Sequence, residues 1–519
     1  MATVPLKSAA ANWIMVSAIL ASAMAFIDGT ALNVVLPSLQ KSLNANGSAL
    51  FWILNAYLLM LASLILIGGA MGDKLGRKKV FMLGIAIFIA GSAACGFANT
   101  VNLLVAFRVL QGIGGALMIP GSLSIISSSI DEKERGKAIG TWSAFTTVVT
   151  MGGPVLGGAL ADAGLWRYIF FINIPIGLIT LLMLWYKVDE SKDTVGGKQL
   201  DFTGSLSIAF CLAFLTFGFL SIPDLGFAHP LVYGTLAAGI VLLITFIWIE
   251  RTSAHPMMPL KLFASKTFSG ANLLTFFLYA ALGAGMLFLS LNMVQVQGYS
   301  QFESGFTFLP FTILMVSVAR YAGKMADKYG ARIFLIAGPA ITGTGLLMLS
   351  FVRQTNGASD YWTSFFPGIL IFGLGMSLTV APLTATVMGA VDDHYSGTAS
   401  GINNALTRIA NVFANAIFGA LAVLFFSAAL QNEVKSLPLS NTEKQLIMAQ
   451  AGNLGNAKVP ENISTAKHKQ LTKAYRDSFI HAYAKIMQIS AGLGFLASLM
   501  SVLFIKNTKP VRHQKTGID

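Results

Sequence analysis

The sequence predicts an all-α integral membrane protein of about fourteen transmembrane helices, and three observations carry that prediction. Of the 519 residues, 55% are hydrophobic and only 11% charged, against about 25% charged in soluble domains. Apolar runs of about 18 residues or more recur from one end of the chain to the other, each long enough to cross a hydrocarbon core of about 30 Å. The basic residues behind the net charge of +13 fall in short clusters between these runs. They therefore mark topology and exclude a nucleic-acid-binding domain.

The spans are expected near residues 13–36, 50–71, 80–98, 101–124, 138–162, 168–186, 204–221, 231–249, 268–296, 305–323, 333–352, 361–385, 399–429 and 479–505. The stretch after Lys7 is too long for a signal-peptide core and reads as the first span. With the amino terminus inside, short inner loops and the carboxyl tail hold about 22 Lys or Arg, whereas short outer loops hold about three, Lys41, Arg167 and Arg353. Both termini are expected in the cytoplasm. The polar segment 430–478 is expected as an outer loop containing some helix or a hairpin.

A repeat organises the chain. Gly69-Ala-Met-Gly-Asp73-Lys-Leu-Gly76-Arg77-Lys78 returns as Gly323-Lys-Met-Ala-Asp327-Lys-Tyr-Gly330-Ala-Arg332, each in an inner loop after an apolar run. The spacing predicts two six-helix bundles, 1–187 and 268–519, with a linker and an inserted two-helix hairpin at 188–267. Parallel halves of this kind form transporters with a substrate site between them near midplane. Physically, glycines permit the tight turn, and the aspartate can lie against a positive helix amino terminus of the opposite bundle.

Cys95 and Cys211 both lie in apolar runs, so neither a disulfide framework nor a thiolate metal site is expected. No phosphate loop, His-Glu-x-x-His pattern or nucleophile motif is present. The six histidines are unpaired within spans, so a membrane-embedded enzyme such as an acyltransferase or protease is disfavoured. No cofactor and no metal are expected, and an ion gradient must supply the energy.

The repeated loop resembles the inner-loop signature of the major facilitator superfamily. Further segments resemble its fourteen-helix drug:proton antiporter branch: Phe26-Ile-Asp28-Gly-Thr-Ala-Leu-Asn33-Val-Val-Leu-Pro37 in the first span, and Arg108-Val-Leu-Gln111-Gly112-Ile-Gly114-Gly115 in the fourth. Gly153-Pro154-Val-Leu-Gly157-Gly158 in the fifth is similar to the antiporter motif carried by the superfamily's exporters. The entrance of the sixth span, Trp166 to Gly177, and Asp201-Phe-Thr-Gly204 also look like this branch. The resemblance covers the chain apart from 430–478. It implies a proton-coupled antiporter in the bacterial cytoplasmic membrane, exporting amphipathic drugs, antiseptics or similar small molecules, and it is compatible with a periplasmic adaptor. Export of an endogenous metabolite or siderophore by the same fold is the alternative.

Ionisable residues inside spans are costly and mark functional pathways. Asp28 and Arg108 fall roughly 10 to 14 Å below the outer face at 1.5 Å per residue, which makes them candidates for a charge pair; the resemblance implies that this pair serves proton coupling, and a purely structural pair is the alternative. The second half has no such pair, because Ile369 stands where Arg108 would fall. Arg408 is the other deep charge. Polar candidates for the substrate path are Asn33, Asn55, Tyr57, Gln111, Asn272, Asn292, Gln295, Asn403, Asn404 and Arg408. With Asp28 the one clear acid deep in a span, lipophilic monocations or weakly charged compounds are the expected substrates.

Overall fold

The computed structural model describes residues 4–506 apart from 192–200, His255, Met257, 393–394 and Ser436. The side chains of Asp73 and Asp327 lie outside the described residues. Helix dominates; the extended pairing described is one isolated bridge between Val4 and Ile130.

Fourteen long helices follow in order. They are α1 (Ala9–Leu43), α2 (Gly47–Leu75), α3 (Arg77–Phe97), α4 (Val101–Ser129) and α5 (Glu132–Asp162). Then come α6 (Asn173–Lys187), α7 (Phe202–Leu225), α8 (Pro230–Thr252) and α9 (Lys266–Gln295). The last five are α10 (Leu309–Tyr329), α11 (Arg332–Leu349), α12 (Phe366–Gly389), α13 (Ser396–Lys435) and α14 (Thr465–Phe504). Among the described residues 13 helices are long and apolar enough to cross a membrane. The remaining one, α5, has an apolar part over Val148–Asp162 among the described residues, and its first turns carry Glu132, Lys133, Glu134, Arg135 and Lys137.

Local chemistry sets the ends. Ser8, Asn46, Thr100, Asp201 and Ser265 each place a side-chain oxygen on a free N–H of the following first turn. Pro230 opens α8, where its missing N–H costs nothing. The segment expected as an outer loop holds a helix, Asn441–Met448, and a 3-10 stretch, Ala451–Asn456. The final helix begins at Thr465 rather than near 479. Leu471, Ala474, Tyr475 and Ser478 are buried at helical spacing, while Lys473, Arg476 and Asp477 between them lower the hydropathy that marks a span.

Helix packing follows the repeat. In the first group α2 and α3 pack on α4, and α1 on α4, α5 and α6; in the last group α9 packs on α13 and α14, and α12 on α10 and α11. Gly84, Gly91 and Gly114 bring the α3 and α4 backbones together, and Gly338, Gly345 and Gly375 do the same for α11 and α12. Between the groups α1 meets α9 and α2 meets α13. The α7–α8 hairpin covers this seam: α7 packs on α2 and α13, while α8 exposes Ile240, Val241, Ile244 and Trp248 as a lipid-facing surface.

Candidate functional site

At mid-depth of the first group, α1 presents Asp28 to Arg108 and Gln111 of α4. Asp28 is fully buried and Arg108 only 1% exposed. Arg108 Nη1 donates to Asp28 Oδ2, and also to Gln111 Oε1 at 2.8 Å, while its Nε donates to the Ile53 carbonyl at 3.3 Å. Gln111 Nε2 donates to Asp28 Oδ1 at 2.9 Å, so both carboxylate oxygens are engaged. The Tyr57 ring covers the guanidinium, 4.4 Å from Cζ to centroid. Two residues not singled out from sequence complete the network. Ser92 of α3 lies 3.3 Å from Gln111 Nε2, donates to the Phe170 carbonyl and accepts from Asn173 Nδ2 of α6 at 2.9 Å. A buried ion pair is tolerable only with its remaining hydrogen bonds satisfied in this way.

Two residues beyond Asp28, α1 is tied to α5. Pro154 has no N–H, so the carbonyl four residues earlier, on Thr150, loses its helical partner. Thr30 Oγ1 shares its proton between that carbonyl at 3.0 Å and the Phe26 carbonyl of its own helix at 2.8 Å. Gly153 and Gly157 lie against Thr30 and Ala31 with no room for a Cβ, and Gly158 lies against the backbone of Gln301. The glycine face of α5 therefore carries α1 on one side and the last group on the other.

The repeated loops sit at the end of the bundle that bears the basic clusters. Gly76 (φ 116°) and Gly330 (φ 94°) both adopt the backbone region that favours glycine. Gly69 packs on Pro120 of α4, and Gly323 on Ala381 of α12. Glu190, beyond α6, caps the start of α3: its carboxylate accepts from the N–H groups of Lys78 (3.0 Å) and Lys79 (3.2 Å), and the Arg77 N–H donates to the Ser191 carbonyl. In the second copy Arg332 Nη2 donates to the Val502 carbonyl at 3.0 Å.

At the opposite end the two groups are sealed. Asp162, the last residue of α5, accepts from the N–H groups of Gln301 (2.9 Å) and Phe302 (2.8 Å), which open the short helix Gln301–Phe306. Gln40 of α1 accepts from Gln295 Nε2 of α9 (3.1 Å) and Asn456 Nδ2 (2.6 Å). Leu454, left-handed at φ 53°, is buried beside Gly47 of α2.

The Major Facilitator Superfamily profile matches residues 18–415. The chain belongs to the Major Facilitator Superfamily. It is 32% identical to the multidrug resistance protein Stp of Mycobacterium tuberculosis, over 79% of this chain and 75% of that one. It is 26% identical to the tetracenomycin C resistance and export protein of Streptomyces glaucescens, over 94% of this chain and 90% of that one. A crystal structure of a bacterial homologue of the human lysosomal transporter Spinster, inward-facing and unoccupied, shares the fold with a TM-score of 0.66 at 19% identity, covering 96% and 98% of the two chains.

Within this superfamily fold the remaining polar residues named from sequence disperse. Asn272 and Asn403 join α9 to α13 at 3.0 Å, with Thr275 accepting from the same Asn403 amide at 2.7 Å. Gln295 belongs to the seal. Asn404 is exposed and donates to the Ser400 carbonyl. Asn33 is half-buried on α1. Among the described residues Asn55 and Asn292 are buried with no partner for either amide atom. Arg408 is half-buried on α13, 5.6 Å from the Phe26 ring. Ser92 and Glu190 lie outside every motif read from the sequence, whereas Thr30 and Asn173 fall within the first-span and sixth-span segments without a role of their own; a neutral polar side chain inside an apolar run was the available signal for Ser92 and Asn173.

Proposed function

We propose that the protein is a proton-coupled antiporter that exports amphipathic drugs, antiseptics or similar small molecules across the cytoplasmic membrane, with Asp28 as the proton carrier and Arg108 as its modulator. The observation that carries this reading is the fully buried carboxylate of Asp28, held between Arg108 and Gln111 in a chain whose relatives are named for drug resistance and efflux. A rearrangement that separates Asp28 from Arg108 or lets water reach the pair is the step that would tie proton exchange to the change of access. Each proton entering down the gradient supplies about 2.3 kcal/mol per 100 mV.

In this reading residues 1–187 and 268–519 are the rocking bundles, 188–267 is the inserted hairpin, and both termini and the basic loops face the cytoplasm. The seal at Asp162 and Gln40 then lies on the outer face, and the described conformation is open inward. The Asp73 and Asp327 loops hold the inner face shut in the other state. The test is substrate-induced proton release from purified protein. Wild type is expected to release protons and Asp28→Asn to release none while still binding substrate. A normal signal from Asp28→Asn places coupling elsewhere.

A further inference from the structure

Arg408 stands apart from the coupling pair. It lies about a third of the way along the 40-residue α13, and among the described residues it makes no ion pair with a carboxylate. The ring described against it is aromatic, Phe26 of α1, 5.6 Å from Cζ to centroid. Both oxygens of Asp28, the acid on the facing helix, are already bonded to Arg108 and Gln111. A guanidinium inside a membrane without a counter-charge is expensive, and aromatic faces offset only part of that cost.

Two further observations place this cation on a path rather than in packing. Ser400, Asn404, Arg408, Asn411 and Asn415 recur at helical spacing and draw one polar stripe along α13. Along it Ser400 is half-buried, Asn404 exposed, Arg408 and Asn411 half-buried and Asn415 buried, with Asn411 lying against Gly283 of α9. On the facing helix a methyl group added to Gly29 meets nothing within 4 Å, so α1 borders open space beside the level of Phe26. Asp28, Arg108 and Arg408 together leave this level with one net positive charge.

We infer that Arg408 is a binding subsite for the anionic end, a carboxylate or sulfonate, of an amphipathic aromatic substrate whose rings rest against Phe26. This rests on the export reading and narrows its substrate class to lipophilic organic anions. The expectation of monocations from the sequence took Asp28 as the deciding charge, and that charge is already paired.

The test uses full-length protein in nanodiscs of uncharged lipid and two fluorescent probes with the same ring system, 1-pyrenebutyrate and 4-(1-pyrenyl)butyl-trimethylammonium. Wild type is expected to bind the carboxylate about tenfold more tightly than the ammonium. Arg408→Gln is expected to lose that preference by weakening the carboxylate alone, and Arg408→Lys to keep part of it. Tighter binding of the ammonium by wild type, or unchanged carboxylate affinity in Arg408→Gln, overturns the subsite. The wild-type comparison needs no variant, so a poorly folding substitution leaves the test intact. In proteoliposomes, a preference for binding the carboxylate without transport of any compound in a diverse panel counts against export but supports the subsite.

Discussion

The Thr30 hydroxyl of α1 lies between two carbonyls, that of Phe26 in its own helix at 2.8 Å and that of Thr150 in α5 at 3.0 Å, the one that Pro154 leaves without a helical partner. The proline bend and the helix bearing Asp28 are therefore one mechanical unit. Replacing Thr30 by Val keeps the shape and removes the donor, leaving the carbonyl unsatisfied at a cost of about 1–3 kcal/mol. Thr30→Val is expected to melt lower in detergent and to transport several-fold more slowly, and Thr30→Ser to restore both. Equal behaviour of the valine and serine variants removes the bond from the mechanism.

The Asp28–Arg108 pair predicts a specific non-additivity. Arg108→Met leaves Asp28 buried without its cation and is expected to cost about 3–5 kcal/mol of stability. Asp28→Asn/Arg108→Met removes both charges, and it is expected to recover about 1–3 kcal/mol relative to the Arg108→Met single variant. Thermal or denaturant unfolding of the two single variants and the double variant measures the coupling. Strict additivity shows that the ion pair contributes nothing to the fold.

Much of this arrangement was legible in the sequence because a bilayer demands it. Apolar length gave the helices, and the duplicated Gly76 and Gly330 turns gave the repeat. Asp28 and Arg108 could be paired from depth alone, since few ionisable residues enter the first spans. Ser92 and Asn173 could not be placed, because which neutral polar groups meet depends on how α3, α4 and α6 rotate against one another. The role of Thr30 needs the contact of α1 with the bend in α5. The early start of α14 was hidden because Lys467, Lys469 and Lys473 share turns with its buried face.

Outside the spans, Lys467 Nζ bonds to Glu443 at 2.9 Å, and the Ser440 N–H bonds to the same carboxylate at 2.7 Å. The lysine first, and then the backbone, hold the Glu443 carboxyl below its ordinary range. A carboxyl depressed in the folded state contributes stability that is present above its unfolded value, about 4.3, and is lost as pH falls through the folded value. Hydrogen exchange in Asn441–Met448 is expected to stay constant from pH 7 to about 5 after correction for intrinsic rates, and to rise only in more acidic solution. Glu443→Gln is expected to show the acid-state exchange already at pH 7. A wild-type rise centred near neutrality assigns the change to another group.

At the sealed end, one carboxylate from α5 holds two N–H groups of the last helix group, so under the proposed alternating access Asp162 is a latch between the parts that separate. Hydrogen bonds to a charged group contribute about 1.5–3 kcal/mol each. Removing them through Asp162→Ala is therefore expected to raise the population of the state open at this end by about tenfold or more, a shift of about 1.4 kcal/mol. Spin labels at L165C and N356C, both exposed near this end, report the separation; the buried native Cys95 and Cys211 are replaced first. The Asp162→Ala distance distribution is expected to gain a longer component that wild type lacks at the same pH. Asn456→Ala, which removes one of the two donors to Gln40 and leaves that of Gln295, is expected to give a smaller gain of the same sign, because it removes a single neutral bond at 2.6 Å. A distribution unchanged by Asp162→Ala shows that apolar packing around Leu454 and Gly158 holds the end shut by itself.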